Sequence, residues 1–261
     1  MMNIFSVEFI LTSFLIFVRV SSVLMTAPFF GSEFFPAQIK LFFAVVLTVL
    51  LYPIIPLQGA YIPADATLIE LVIAIVQEIM VGITMGLVGQ IVFGGVQLGG
   101  QFISIKVGLG FANIVDPLTQ DQSALVTQLF TTFGVILFLA INGEHMYIQA
   151  LHRSFELVPV GEVYPHQTVP PFMEFAGQIF IIGVQLAAPF IIVLFLLDLS
   201  FAIFARIMPR ANVFFIALPL KVLIGMTMVL VVTPNLPVVF GQYFEQLFEM
   251  LGEVLQALGP S

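Results

Sequence analysis

Between Leu68 and Ile105 the chain carries only two charged side chains, Glu70 and Glu78, in a run of aliphatic and aromatic residues punctuated by glycine. A bilayer's hydrocarbon core is crossed by about 20 helical residues, so a stretch this long and this apolar rules out the surface of a water-soluble domain. Five further apolar stretches accompany it: Phe9 to Met25, Leu41 to Leu51, Ser123 to Ile141, Phe175 to Ile207 and Phe214 to Val232. Only 8% of the residues are charged and 60% are hydrophobic, with a mean hydropathy of +1.15. Soluble domains carry about a quarter charged residues. The apolar surface must face lipid or other subunits. The expected fold is therefore all-α, a polytopic helical membrane protein with kinked or broken hydrophobic helices.

The N-terminus has no basic leader and no small-residue cleavage site after its first apolar run, which points to a retained first helix. An aromatic turn, Ala27 to Pro36, separates the first two stretches, and Pro53 and Pro56 close the second. The Leu68 to Ile105 stretch predicts either one long kinked helix or two segments broken near Gly94-Gly95. The Phe175 to Ile207 stretch contains Pro189 and Asp198, which predict a bend. After Pro237, the residues Phe240, Phe244, Leu247, Phe248, Leu251, Val254, Leu255 and Leu258 recur at helical spacing, opposite Glu245, Glu249 and Glu253. This is an amphipathic tail helix. Its acidic polar face disfavours an anionic leaflet, and the expectation is that it lies on a protein partner. The distribution of Lys40, Lys106, Arg206 and Arg210 across alternate connections would place both termini on the outer side of the membrane.

Motifs for chemistry are missing. No phosphate-binding loop, no dinucleotide fingerprint and no H-E-x-x-H zinc pattern occurs, and the net charge of −8 contains no basic run suited to nucleic acid. The absence of cysteine excludes disulfides and thiolate sites. Neither an enzyme, nor a cofactor, nor a metal site is expected. Charges inside apolar stretches are more informative, because each costs about 2.5–3.5 kcal/mol at mid-bilayer on insertion scales. Arg19, Glu70, Glu78, Asp198 and Lys221 are expected to pair, or to face water or protein. Two readings stay open: ion pairs within the chain, or pairs across subunits.

Glycines also admit two readings. Gly82 and Gly86, and Gly95 and Gly99, have the spacing that lets helices approach closely. Near the second pair, Gln90, Gln97 and Gln101 add amides to a nearby face, which suits a water-lined or peptide-lined pore surface better than lipid. The segment Lys106 to Pro117 carries large apolar side chains, contains Gly108 and Gly110, which would give it mobility, and ends at Asp116-Pro117. Such a loop either closes a pore as a mobile plug or is buried in a tight hairpin.

These residues resemble the FliR family of flagellar type III export-gate subunits, whose injectisome counterparts are the SctT proteins. The likeness covers essentially the whole chain. Its most specific part is Asp198 to Gly225, with Arg206, Pro209, Asn212-Val213-Phe214, Pro219, Lys221 and Gly225. Pro28, Gly31, Pro36, Glu78, Gly82, Gly86, Asp116-Pro117 and Asn142-Gly143 support it, and Lys40, Glu144 and Arg210 depart from the family pattern.

The resemblance implies one copy in a helical pore assembly with FliP- and FliQ-like subunits, FlhB- and FlhA-like export components, membrane lipid around it and unfolded export substrates passing through. It implies a FliP-like part over residues 1–141 that includes a plug loop at 106–117, a polar connection over 142–174, and a FliQ-like hairpin with tail helix over 175–261. Gly108, Leu109, Gly110, Phe111, Ala112, Asn113 and Ile114 would form the plug. Arg19, Glu70, Glu78, Asp198, Arg206 and Lys221 would supply ion pairs within or between subunits. The implied location is the bacterial inner membrane at the flagellar basal body. A competing reading is a proton-coupled secondary transporter of small solutes, using Glu70, Glu78 or Asp198; another is an injectisome gate subunit.

Overall fold

The computed structural model describes residues 7–31, 35–55, 67–109, 124–161, 169–210 and 212–259. Among the described residues every regular element is helical. In chain order these are α1 (Val7–Thr26), α2 (Ala37–Leu51), α3 (Leu68–Val107), α4 (Ala124–Ala140), α5 (Gly143–Leu157), α6 (Val169–Ile207), α7 (Val213–Val232), a 3-10 turn (Thr233–Asn235) and α8 (Leu236–Leu258). Among the described residues four helical segments are long and apolar enough to cross a membrane: Val7–Thr26, Leu68–Val107, Gly177–Ile207 and Phe215–Leu258. The pair Leu125–Ala140 and Gly143–Leu157, bent by 69°, would make a fifth.

The long third stretch is one continuous α-helix through Gly94-Gly95, and α6 likewise runs on through Pro189. The proline ring removes one backbone donor, that to the Gln185 carbonyl, without ending the helix.

The polar connection after residue 141 contains α5, whose polar residues alternate with a buried stripe of Tyr147, Leu151, Ser154 and Phe155. Asn142 makes the corner into it with φ 57°, a left-handed conformation that asparagine tolerates better than most residues. The tail helix does not leave its apolar face for a partner. Phe240, Phe244, Leu247, Leu251, Val254, Leu255 and Leu258 are buried within this chain, while Glu245, Glu249 and Glu253 face outward.

The chain forms two compact units. The first comprises residues 1–91, 142–176 and 245–261, and the second 92–141 and 177–244. In the first unit α1 packs on α2 and also crosses α3 closely. A methyl group on Gly82 would stand 2.5 Å from Ser22 Cβ and 2.8 Å from the Arg19 carbonyl, and one on Gly86 would collide with Thr26. Those glycines bring the two backbones together.

In the second unit Gly95 and Gly99 of α3 pack against Ile182, Gly183 and Leu186 of α6. A cluster of rings fills the space nearby: Phe93 lies 5.9 Å from Phe138 and 5.8 Å from Phe244, and Phe138 lies 5.4 Å from Phe244.

Candidate functional site

The charges singled out in the sequence meet in two places. In the first unit, Arg19 of α1 and Glu78 of α3 are both fully buried. Arg19 Nε donates to Glu78 Oε2 at 2.5 Å and Nη2 donates to Oε1 at 3.1 Å. The fork geometry of guanidinium suits this two-point grip. The remaining nitrogen, Nη1, donates to the carbonyls of Ser154 and Val158, each at 2.9 Å. These belong to the end of α5, where a cation is favoured, and the Ser154 carbonyl accepts the Val158 N–H at 2.9 Å as well. The Phe155 ring lies 4.3 Å from the guanidinium carbon. Glu78 Oε1 also accepts the Gly161 N–H at 2.8 Å, across a turn in which Gly161 has φ 82°. One buried cation thus ties α1, α3 and the end of α5 together, with its donors and its counter-ion both engaged.

Three residues of α5 carried no sequence signal that pointed to them. Tyr147 donates to the Met85 carbonyl at 2.6 Å, Phe155 lies against the guanidinium, and Ser154 supplies a carbonyl. They were hidden because their partners are distant in the chain.

In the second unit, Lys221 of α7 is ion-paired with Asp198 of α6. Both lie in apolar helices, so each neutralises the other where water is scarce. Glu70 behaves otherwise. It accepts the Thr67 N–H at 2.8 Å and its own N–H donates to Thr67 Oγ1 at 3.4 Å. That is the reciprocal capping box of a helix start, a signal the Thr67-x-x-Glu70 spacing carried. Among the described residues Glu70 and Arg206 have no ion pair; Arg206 stands exposed in the last turn of α6.

The glutamines divide. Gln97 and Gln101 are exposed on one face of α3, away from the buried Gly95 and Gly99 face. The second glycine pair therefore serves helix packing, as the first does. Gln90 is committed: its amide donates to the Thr26 carbonyl at 2.8 Å and caps the end of α1.

Of the gate segment, Gly108 and Leu109 are described, and Gly110, Phe111, Ala112, Asn113 and Ile114 lie outside the described residues. Gly108 has φ 91° and donates to the Ile105 carbonyl at 3.2 Å, while Leu109 donates to the Ser104 carbonyl at 3.1 Å. This pair of bonds is the Schellman stop of a helix. Gly108 thus holds a fixed conformation instead of supplying mobility. The helix end it closes is held sideways as well, since Gly225 of α7 leaves room only for the Val107 side chain.

A helical integral membrane protein emerges, with Arg19 paired to Glu78, Lys221 paired to Asp198, and α3 closed by a Schellman stop. Residues 10–247 match the model of the family described as bacterial export proteins, family 1. The chain is 31% identical to the flagellar biosynthetic protein FliR of Bacillus subtilis (strain 168), with 95% of each chain covered. It is 30% identical to that of Aquifex aeolicus (strain VF5), covering 97% of this chain and 96% of the relative. Against that of Escherichia coli (strain K12) it is 27% identical over 92% and 91%. The chain belongs to the bacterial export proteins, family 1, the FliR family.

Proposed function

We propose that this chain is a subunit of the flagellar type III protein export gate, seated in the bacterial inner membrane at the basal body. It works with FliP- and FliQ-like subunits and with FlhB- and FlhA-like components, and unfolded export substrates are its cargo. The observation that carries this reading is end-to-end similarity to proteins named flagellar biosynthetic protein FliR. In this reading residues 1–141 correspond to a FliP-like part and 175–261 to a FliQ-like part, joined through 142–174. The segment from Gly108 to Ile114 plugs the channel, and Gln97 and Gln101 face it.

Two features support the plug. The segment leaves α3 from a helix end held in a Schellman stop, which gives a plug a firm base. Apolar side chains close a pore by excluding water as well as by filling it. The exposed apolar residues of α2 and α6, among them Phe42, Val49, Ile192 and Phe195, suit lipid or neighbouring subunits.

A proton-coupled transporter fits less well: Glu78 is sealed and committed to Arg19 and Gly161, and Glu70 caps a helix. Deleting Gly110 to Ile114 tests the plug. Assembly should persist while the closed gate leaks ions. Membrane conductance at the wild-type level in that deletion would sink the assignment. Crosslinking of a stalled export substrate to Gln97 tests the lining, and its failure with substrate in the channel would count against it.

A further inference from the structure

The connection between α6 and α7 is the most basic part of the second unit, and its flanks expose apolar side chains. Arg206 and Arg210 are both exposed and lie one helical turn apart in sequence. Among the described residues neither has an acidic partner, although the chain contains 15 acidic and only 7 basic residues. Directly behind them the surface is greasy: Ile203 is 55% exposed, Ile207 72%, Met208 50% and Ile216 55%. A concavity of about 460 Å³ lies at the tip, lined by Ala205, Pro209, Arg210, Asn212 and Val213. No carboxylate lines it.

We propose that this tip is a binding site for the phosphate headgroup of an anionic phospholipid. Arg206 and Arg210 hold the phosphate, and the collar of Ile203, Ile207, Met208 and Ile216 lies among the acyl chains. Arginine is the side chain that grips a phosphate oxygen pair with two parallel N–H donors. A cationic group beside an apolar surface is also what the anionic lipid interface attracts, while a neutral or acidic tip would not be.

Depth agrees with the charge pattern. Asp198 lies eight residues before Arg206 on the same helix, about 12 Å at 1.5 Å per residue. With the arginines at the headgroups, Asp198 and Lys221 fall inside the hydrocarbon half-layer, about 15 Å thick. There an ionised group needs a counter-ion, and these two supply one another. The unpaired cations sit where a lipid phosphate can serve, and the paired ones where nothing else can. An acidic protein segment could also neutralise two arginines, but it would leave the apolar collar behind them uncovered. The lipid covers both. This inference needs only the membrane location of the chain and does not depend on the export-gate reading.

The test uses the full chain, extracted with whatever subunits accompany it and placed in nanodiscs of equimolar phosphatidylcholine and phosphatidylglycerol. Lipids retained by the protein are then counted by native mass spectrometry. Wild type should retain phosphatidylglycerol in preference, and R206Q/R210Q should lose that preference by roughly thirtyfold, as expected for two cations near a lipid surface. K40Q, which removes a cation elsewhere, should keep it. The proposal is overturned if wild type shows no preference, a result that does not depend on any variant folding. It is equally overturned if K40Q loses as much as the arginine variant. R206Q/R210Q that keeps its phosphatidylglycerol and sheds a co-purifying subunit would assign the arginines to a protein contact, and that too would overturn it.

Discussion

Arg19 and Glu78, 59 positions apart, form a two-point ion pair with no solvent contact for either side chain. Pairing alone does not make such an arrangement stabilising, because removing two charges from water costs about as much as their attraction returns. What distinguishes this one is that the same guanidinium closes the end of α5 through Ser154 and Val158.

Glu78→Ala should therefore destabilise the chain by about 3–5 kcal/mol, since it strands a buried cation. R19M/E78L should recover most of that loss. It should still fall short of wild type by about 1–3 kcal/mol, because the Val158 carbonyl loses its Arg19 donor and the Gly161 N–H its Glu78 acceptor. Circular dichroism melts of the detergent-purified proteins check the order. A Glu78→Ala protein that melts with wild type would show that the pair is not buried as described.

Neighbouring glycines in α3 should respond oppositely to alanine. A methyl group on Gly94 meets only Ile179 Cγ2 at 3.9 Å, whereas one on Gly95 meets Ile182 at 2.7 Å. Gly94→Ala should be neutral or gain up to about 1 kcal/mol from helix propensity. Gly95→Ala should lose about 1–3 kcal/mol through overpacking. Equal melting temperatures for the two variants would contradict the close approach of α3 and α6.

Gly108→Ala forces an L side chain into the left-handed region, at a cost of about 1–2 kcal/mol. Gly108→Asn should cost less, because asparagine tolerates that conformation. Hydrogen exchange at the Gly108 and Leu109 amides reads the outcome directly. Faster exchange in the alanine variant than in the asparagine one is expected, and unchanged protection in both would mean that the Schellman stop is absent.

For Asp198 and Lys221 the sign of the charge matters less than the pairing. Asp198→Asn or Lys221→Met alone leaves an unmatched charge on an apolar helix and should lower the amount of membrane-inserted chain. The exchange D198K/K221D should restore it toward wild type. Immunoblots of membrane fractions compare the three, and a double variant no better than either single would argue against direct pairing.

Much of this was readable from the residues. The apolar stretches became helices because nothing but intrahelical hydrogen bonding satisfies a backbone in an apolar setting. The need of Arg19, Glu78, Asp198 and Lys221 for counter-ions followed from the same physics, but which would meet which did not, since that depends on how α1, α3, α6 and α7 cross. The tail helix illustrates the limit. Its stripe from Phe240 to Leu258 announced burial without saying what would cover it, and the cover is the chain itself.

Periodicity is faint at α5, where mixed residues such as Gln149, His152 and Arg153 mask a stripe of only a few buried side chains. Gly108 was noticed for the freedom glycine confers. Its actual use, a single rare backbone conformation held by two hydrogen bonds, follows from its place at the end of α3.

The reach of the Arg19 contacts bears on how the molecule is made. During synthesis the first helix emerges with a cation whose carboxylate lies 59 residues later and whose last oxygen acceptor lies 139 residues later. Until the ribosome has passed Val158, an arginine waits half-matched in a helix otherwise suited to lipid. The nascent chain therefore needs a sheltered place for α1, and truncated products ending before α5 should be marked for destruction by that unsatisfied charge.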